Sequence, residues 1–519
     1  MNGLKRAAIS AALLLFTAVT GTAQDIALTS RDGSVELSGT LLGFDGEFYR
    51  VETDYGELTV DSSGVSCAGP GCPNLEDFVA EVRFSGSATM GAVLMPALIE
   101  AFAARQGYTV NREDGEGGRF ALLLSRQDDG KLAARFDFRA TNTNEGFADL
   151  LADEADVVMA LREVRREERI NARELGLGDL TGANRSRVLA LDAVVPVVAP
   201  SNPVKQISPL TLARVFSGEI KNWQRLGGPD APIELHLPTA DSGLSQAIVD
   251  QVLTPAGLEL SGDVTRHTMP DALAEAVARD VFALGITSYA EQGGTEVLTL
   301  GGNCGFALDA ARRTIKTEDY PLTAPMFLYF PARRLPLITR EFLAFTRGPS
   351  AQIVIRRAGF VDQTPEEIPV EEQGNRFANA IITAGIETPL EELQRMTATL
   401  VPMARLTTSF RFEAGSIRLD AQSRSNVQQL ARALEQGQYD ARRLMFVGFS
   451  DGEGEARANR EIALRRAEAV QRAVSAAAVT ANLSRIDLRV DAFGEAMPIA
   501  CDDSEWGRQA NRRVEVWVR

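Results

Sequence analysis

Strand-like apolar runs alternate with helical ones from about residue 77 to residue 362, and that alternation leaves few folds open besides an α/β domain. Ala155 to Ala160, Leu189 to Val198 and Phe282 to Ser288 are the clearest strand candidates. At 519 residues the chain exceeds what one hydrophobic core sustains, and its length predicts about three or four domains. Upstream, residues 25 to 66 alternate polar and apolar residues between the turn signals Arg31-Asp32-Gly33, Phe44-Asp45-Gly46 and Asp54-Tyr55-Gly56. That pattern predicts a meander of short strands in a small barrel-like module. Downstream, Pro365-Glu366-Glu367 and Glu371-Glu372 open an acidic stretch that turns helical from Ala378 to Met403, and it reads as a connector. A last domain begins near Leu406 in βαβ style. It has a helical run at Val427 to Leu434, a buried strand at Leu444 to Phe449, a long Arg- and Ala-rich helix from about Ala458 to Ala478, and strands around Val490 and Val514.

The formal net charge of -16 argues against a nucleic-acid partner, which would be repelled at long range. A small anion is still permitted, because its binding depends on a local pocket. The two histidines, His236 and His267, stand at no metal-ligand spacing, so neither a His-based zinc site nor a Ser-His-Asp triad is expected. Lys5 and Arg6, the apolar stretch Ala11 to Val19 and the small residues Gly21-Thr22-Ala23 read as an export signal over residues 1–23. Its apolar run is too short to span a bilayer, and no later stretch is long enough. No cysteine follows the cleavage site, so no lipid anchor is expected, and the mature chain is expected in an oxidising compartment. There Cys67 and Cys72, separated by Ala-Gly-Pro-Gly, are expected to form a local disulfide. Cys304 and Cys501 are expected as buried thiols, the alternative being a bond that joins two domains.

In the last domain, Gly448-Phe449-Ser450-Asp451 ends a strand and Asn459 opens the following helix. Arg466 lies seven positions on, so Asn459 and Arg466 share a helix face. A carboxylate and a guanidinium held near one another can clamp a zwitterion by its ammonium and its carboxylate. On residue types alone, an ordinary Asp–Arg salt bridge beside a solvated helix is the more common explanation.

Gly448 to Asp451, Gly454, Asn459-Arg460-Glu461-Ile462-Ala463-Leu464-Arg465-Arg466-Ala467 and Gly507-Arg508-Gln509-Ala510-Asn511-Arg512-Arg513-Val514-Glu515 resemble the OmpA C-terminal motif over residues 406–519. The resemblance implies peptidoglycan binding, with Asp451 and Arg466 on the diaminopimelate unit of the stem peptide. Asn459 is then a neighbouring contact, and Arg512 either a helper or a structural ion-pair partner. Ser450 and Ala463 depart from the usual Thr and Ser without touching the charged pair.

Three polar helix starts mark the middle domain: Ser85-Gly86-Ser87-Ala88-Thr89, Thr141-Asn142-Thr143-Asn144 and Asp241-Ser242-Gly243. Hydroxyls and free N–H groups at a helix N-terminus suit an anion, although each taken singly also reads as plain N-capping. Ala155 to Arg162, Val215-Phe216-Ser217-Gly218-Glu219-Ile220-Lys221-Asn222-Trp223 and Gly285-Ile286-Thr287-Ser288-Tyr289 resemble, in order, the phosphate-binding receptors of ABC transporters. The resemblance implies a two-lobed periplasmic-binding-protein fold over 77–362, with Ser85, Ser87, Thr89, Asn144, Arg162, Ser242 and Gly243 around a small anion such as phosphate. Departures are Leu237-Pro238-Thr239 where these receptors carry an Arg, Leu244 for a Thr, and Leu161 where a hydroxyl is common.

The reading is thus an α/β multidomain protein. It comprises a signal peptide (1–23), a small N-terminal β module (25–72), the two-lobed domain (77–362), a connector (363–405) and a C-terminal βαβ OmpA-like domain (406–519). It is expected in the periplasm, on peptidoglycan at the outer membrane. The partners are peptidoglycan and a small anion; an envelope scaffold without a solute is the alternative. No cofactor or metal is expected, and the absence of an activated nucleophile, a metal cluster or a nucleotide loop speaks against an enzyme.

Overall fold

The computed structural model describes residues 25–519 apart from Glu76, Ala183, Asn303 and Ala414. The signal-peptide reading lies outside the described residues. The chain divides into two compact units, Met1–Ala80 and Glu81–Arg519.

The first unit is a five-stranded antiparallel sheet in the order Gly56–Asp61, Phe48–Thr53, Glu36–Phe44, Ile26–Ser30, Val65–Ala68. Its two end strands are joined only by Ser62–Gly64, so the sheet curls to bring its ends together. Gly33, Gly46 and Gly56 take positive φ at the three turns read from sequence, a conformation glycine adopts without a Cβ clash. Ile26, Leu28, Tyr49 and Val51 form the core, and the expected Cys67–Cys72 disulfide is present.

The second unit begins with one long mixed sheet. The strand Ser186–Val198 is shared between two halves: residues 186–193 pair with Thr323–Tyr329, and residues 194–198 pair with Ala283–Ser288. One half carries Val157–Ala160, Ala80–Ser87, Leu132–Thr141, Arg119–Arg126 and Tyr108–Asp114; the other carries Glu234–Pro238 and Thr265–His267. A strand that serves both halves is how a two-lobed domain is hinged. The two histidines, 31 residues apart in sequence, meet across the last two strands with Nδ1 of His236 2.9 Å from Nε2 of His267. No metal-binding group of side chains occurs among the described residues.

At the C-terminus, Ala404–Phe410, Arg513–Val518, Arg443–Phe449 and Asp487–Gly494 form a sheet. The parallel pair Arg443–Phe449 and Asp487–Gly494 is bridged by the helix Ala456–Ala477, the βαβ crossover expected. Residues 363–405, read from sequence as a connector, are built into this sheet and its core. Glu367–Ile368 adds an edge strand beside Ala404–Phe410, and Leu393, Met396 and Leu400 pack on Phe449 and Trp517. The acidic residues that suggested a linker are ion-paired instead: Glu366 with Arg312 and Lys316, Glu367 with Arg442. None of the helices, among the described residues, is long and apolar enough to cross a membrane.

The receptor-like and C-terminal portions of this unit are docked through buried charge. Arg405 makes two hydrogen bonds to Asp319 at 2.6 and 3.0 Å, and its Nε lies 3.3 Å from Glu515. Glu515 also accepts hydrogen bonds from Arg376, from Arg513 at 2.6 Å and from the Trp517 indole at 3.1 Å. Away from this cluster, Trp506 donates to the Gln251 carbonyl at 2.7 Å.

Cys304 and Cys501 do not remain thiols; they are joined across these two portions. The sequence offered this bond only as the alternative to buried thiols, because the two cysteines stand 197 positions apart; the docked faces set their loops side by side. Replacing Cys304 and Cys501 by serine is expected to cost about 2–5 kcal/mol, since the bond closes a long loop. A thermal melt of the double variant against the wild type checks this, and an unchanged melt would show that docking needs no covalent tie.

Candidate functional site

Glycine decides how closely the C-terminal helix approaches its strand. A Cβ on Gly448 would lie 2.1 Å from the carbonyl oxygen of Ala463, so only glycine lets the helix Ala456–Ala477 sit directly on the strand end. That contact turns Asn459, Ala463 and Arg466, at positions i, i+4 and i+7, into the interior. Asp451 follows the strand on a loop whose Ser450 amide donates to the Gly494 carbonyl at 2.9 Å.

The predicted Asp451–Arg466 pair is not a salt bridge. Asp451 accepts from Arg512 Nη1 at 2.7 Å, and Arg512 also holds Glu505. Arg512 is therefore the structural ion-pair partner that the sequence offered as one of two roles. Arg466 is only 4% exposed, yet no carboxylate pairs with it among the described residues. Its guanidinium lies over the Phe412 ring at 5.1 Å, one Nη donates to the Ser416 carbonyl at a long 3.4 Å, and its buried Nε has no partner. Burial and the charge of Arg512 push its pKa down, and the charge of Asp451 opposes them. Asn459 donates to Glu495 at 3.1 Å, and Asp502 accepts the Gly452 amide at 2.8 Å. Glu495 and Asp502 were missed from sequence. They sit on a loop after Asp487–Gly494, and nothing local marks them as neighbours of Asp451. The result is a buried, under-satisfied cation beside a group of carboxylates, an arrangement suited to a ligand with both charges.

The middle domain brings some predicted anion contacts together but spends their donors. Arg162 makes two hydrogen bonds to Glu168, at 2.7 and 3.0 Å, and a third to Asn144 at 2.6 Å. Ser85 donates to Asp149, which is also held by Arg139. Ser87 accepts from the Met90 amide at 3.3 Å and Ser242 from the Ser245 amide at 3.1 Å, each capping its own helix. Thr89 is half-buried in the first turn of its helix. A Cβ on Gly243 would lie 3.0 Å from Leu161 Cδ1. The leucine that replaces the usual hydroxyl is therefore seated against the Ser242–Gly243 loop. Arg162 keeps one buried N–H, its Nε, without a partner.

The shared central strand, the two half-sheets and the helix starts at their ends define a solute-receptor architecture, and the chain belongs to the PBP superfamily, whose domain matches residues 73–346. The OmpA family matches residues 411–512, the segment holding Asp451, Asn459 and Arg466. Among individual proteins, the chain is similar to Protein SphX of Synechococcus elongatus, 28% identical over 43% of this chain and 67% of that protein. It is also similar to the phosphate-binding protein PstS of Staphylococcus haemolyticus, 26% identical over 43% of this chain and 71% of that one. An ABC-type phosphate transport receptor from Vibrio cholerae aligns with 54% of this chain and 99% of its own, at 18% identity and a TM-score of 0.41.

Proposed function

We propose that this chain is a periplasmic envelope protein that holds peptidoglycan non-covalently through its C-terminal domain. In this reading the carboxylate of a diaminopimelate unit meets Arg466 and its ammonium meets the Asp451 side of the site. The observation that carries the reading is Arg466, a buried guanidinium without a carboxylate partner among the described residues, in the segment that matches the OmpA family. A buried charge left unpaired is costly, and a ligand carboxylate supplies what the fold omits. Cosedimentation with purified peptidoglycan, competed by a free diaminopimelate-containing stem peptide, tests it. Protein that stays in the supernatant, or a pellet the peptide does not reduce, overturns it.

For the receptor-like domain the reading is a cleft for a small anion such as phosphate, supported by the likeness to phosphate-binding proteins. The Arg162–Glu168 pair favours a second reading, a receptor fold kept as a scaffold, because an incoming anion has to displace Glu168 first. A thermal melt against phosphate, sulfate and small carboxylates separates the two. A ligand at a hundred times its Kd adds about 2.7 kcal/mol, so a working cleft shows a clear rise that Arg162→Ala removes. No rise with any anion leaves the scaffold.

A further inference from the structure

A cavity of about 620 Å³ lies between the receptor-like and C-terminal portions of the second unit. One wall is the start of the strand Ser186–Val198 with the ends of the helices Leu337–Phe345 and Pro349–Arg357; the other is the helix Ala421–Glu435 and the end of Ala456–Ala477. Arg187, Arg347, Arg424 and Arg432 line it, and no aspartate or glutamate does among the described residues. That is a marked local excess in a chain whose net charge is -16.

Three of these arginines, Arg187 and Arg432 half-buried and Arg347 exposed, have no carboxylate partner among the described residues. Arg187 donates to the Leu343 carbonyl and, at 3.3 Å, to the Thr346 hydroxyl, while its buried Nε has no partner. Neither Arg347 nor Arg432 pairs with a carboxylate among the described residues. Glu435, the acid that acts on Arg432, is turned to the Thr480 amide at 3.1 Å. Burial and the charges of Arg347 and Arg432 push Arg187 down to about 9, a sign that the three guanidiniums oppose one another. The remaining wall is uncharged: Val188, Pro349, Val427, Ala473 and Ala477. Gln363 and Gln429 bridge the two sides by a hydrogen bond, so the walls are joined.

We propose that this cavity binds a small organic polyanion, its phosphate or carboxylate groups on Arg187, Arg347 and Arg432 and its uncharged part against Val427 and Ala477. Guanidinium forks pair in two-pronged fashion with either group, and the volume falls in the range of about 300–1,000 Å³ that holds small organic ligands. This site is separate from the cleft at Arg162 and from the wall site at Arg466.

The test uses the whole chain at physiological salt with inositol hexakisphosphate as the phosphate-rich probe and citrate as the carboxylate probe, read by thermal melt and calorimetry. At least one probe should raise the melting temperature, and Arg347→Gln with Arg432→Gln should weaken its binding at least a hundredfold. Without any probe, the double variant should melt no lower than the wild type, because it removes like-charge repulsion. A response to one probe alone supports the site and assigns its chemistry. No response to either overturns the proposal. So does a response that survives in the double variant, and one that survives there but vanishes in Arg162→Ala belongs to the cleft instead.

Discussion

Arg466→Ala is expected to remove the protein from the peptidoglycan pellet. Arg466 is the cation of the site that the fold leaves without a carboxylate, whereas Arg512 is already held by Asp451 and Glu505. Losing the protein partner of a desolvated charge pair costs about 2–5 kcal/mol of binding, enough to drop the bound fraction below detection at moderate protein concentration. The fold should survive. The guanidinium makes one long hydrogen bond and one ring contact, and its removal relieves a buried charge instead of exposing one. Asp451→Ala is predicted to weaken binding as well, with an added loss of stability because it strips Arg512 of a partner. Cosedimentation of both variants, alongside their melts, checks this. If Arg466→Ala pellets like the wild type, the site is elsewhere.

The second large effect is expected at Glu515. Its carboxylate is fully buried and receives Arg376, Arg405 and Arg513 together. Glu515→Gln keeps the shape but leaves three guanidiniums facing one another, and breaking a buried ionic cluster in this way costs about 3–5 kcal/mol. The pH dependence has a definite sign. Burial by itself raises the Glu515 pKa, but the surrounding arginines outweigh it and hold the group well below the ordinary value of 4.5. A group depressed in the folded state binds more protons when unfolded. Its contribution is therefore complete above about pH 4.5 and is lost as the pH falls below that. The melting-temperature gap between wild type and Glu515→Gln should be widest at neutral pH and narrow under acid. A gap that does not change with pH would mean that the cluster acts by packing and not by charge.

Much of the protein was legible before any coordinates, for reasons that particular residues make plain. The helix at Ala456–Ala477 and the strand at Arg443–Phe449 follow from local periodicity, and the turns of the first unit from glycines at 33, 46 and 56, where a positive φ is needed. Asp451, Asn459 and Arg466 stood out as candidates at a strand end and a helix start, and the resemblance of their segment to the OmpA motif singled them out as a site. Residues 363–405 read as a helical connector, and two helices do lie there, but their acidic residues' partners Arg312, Lys316 and Arg442 are distant in sequence and could not be seen. The arginine-lined cavity had no signal along the chain and the Cys304–Cys501 bond stood only as an alternative, since each is assembled from distant segments.

Periodicity, turn chemistry and capping act over a few residues, so the elements, their faces and the residue types at each site were legible along the chain. Which charges neutralise one another was settled by how the surfaces pack. Packing gave Asp451 to Arg512 and Glu168 to Arg162, and left Arg466, Arg347 and Arg432 without carboxylates among the described residues. Coulomb energy depends on distance and burial, and both are set by which surfaces meet, not by where residues stand in the chain.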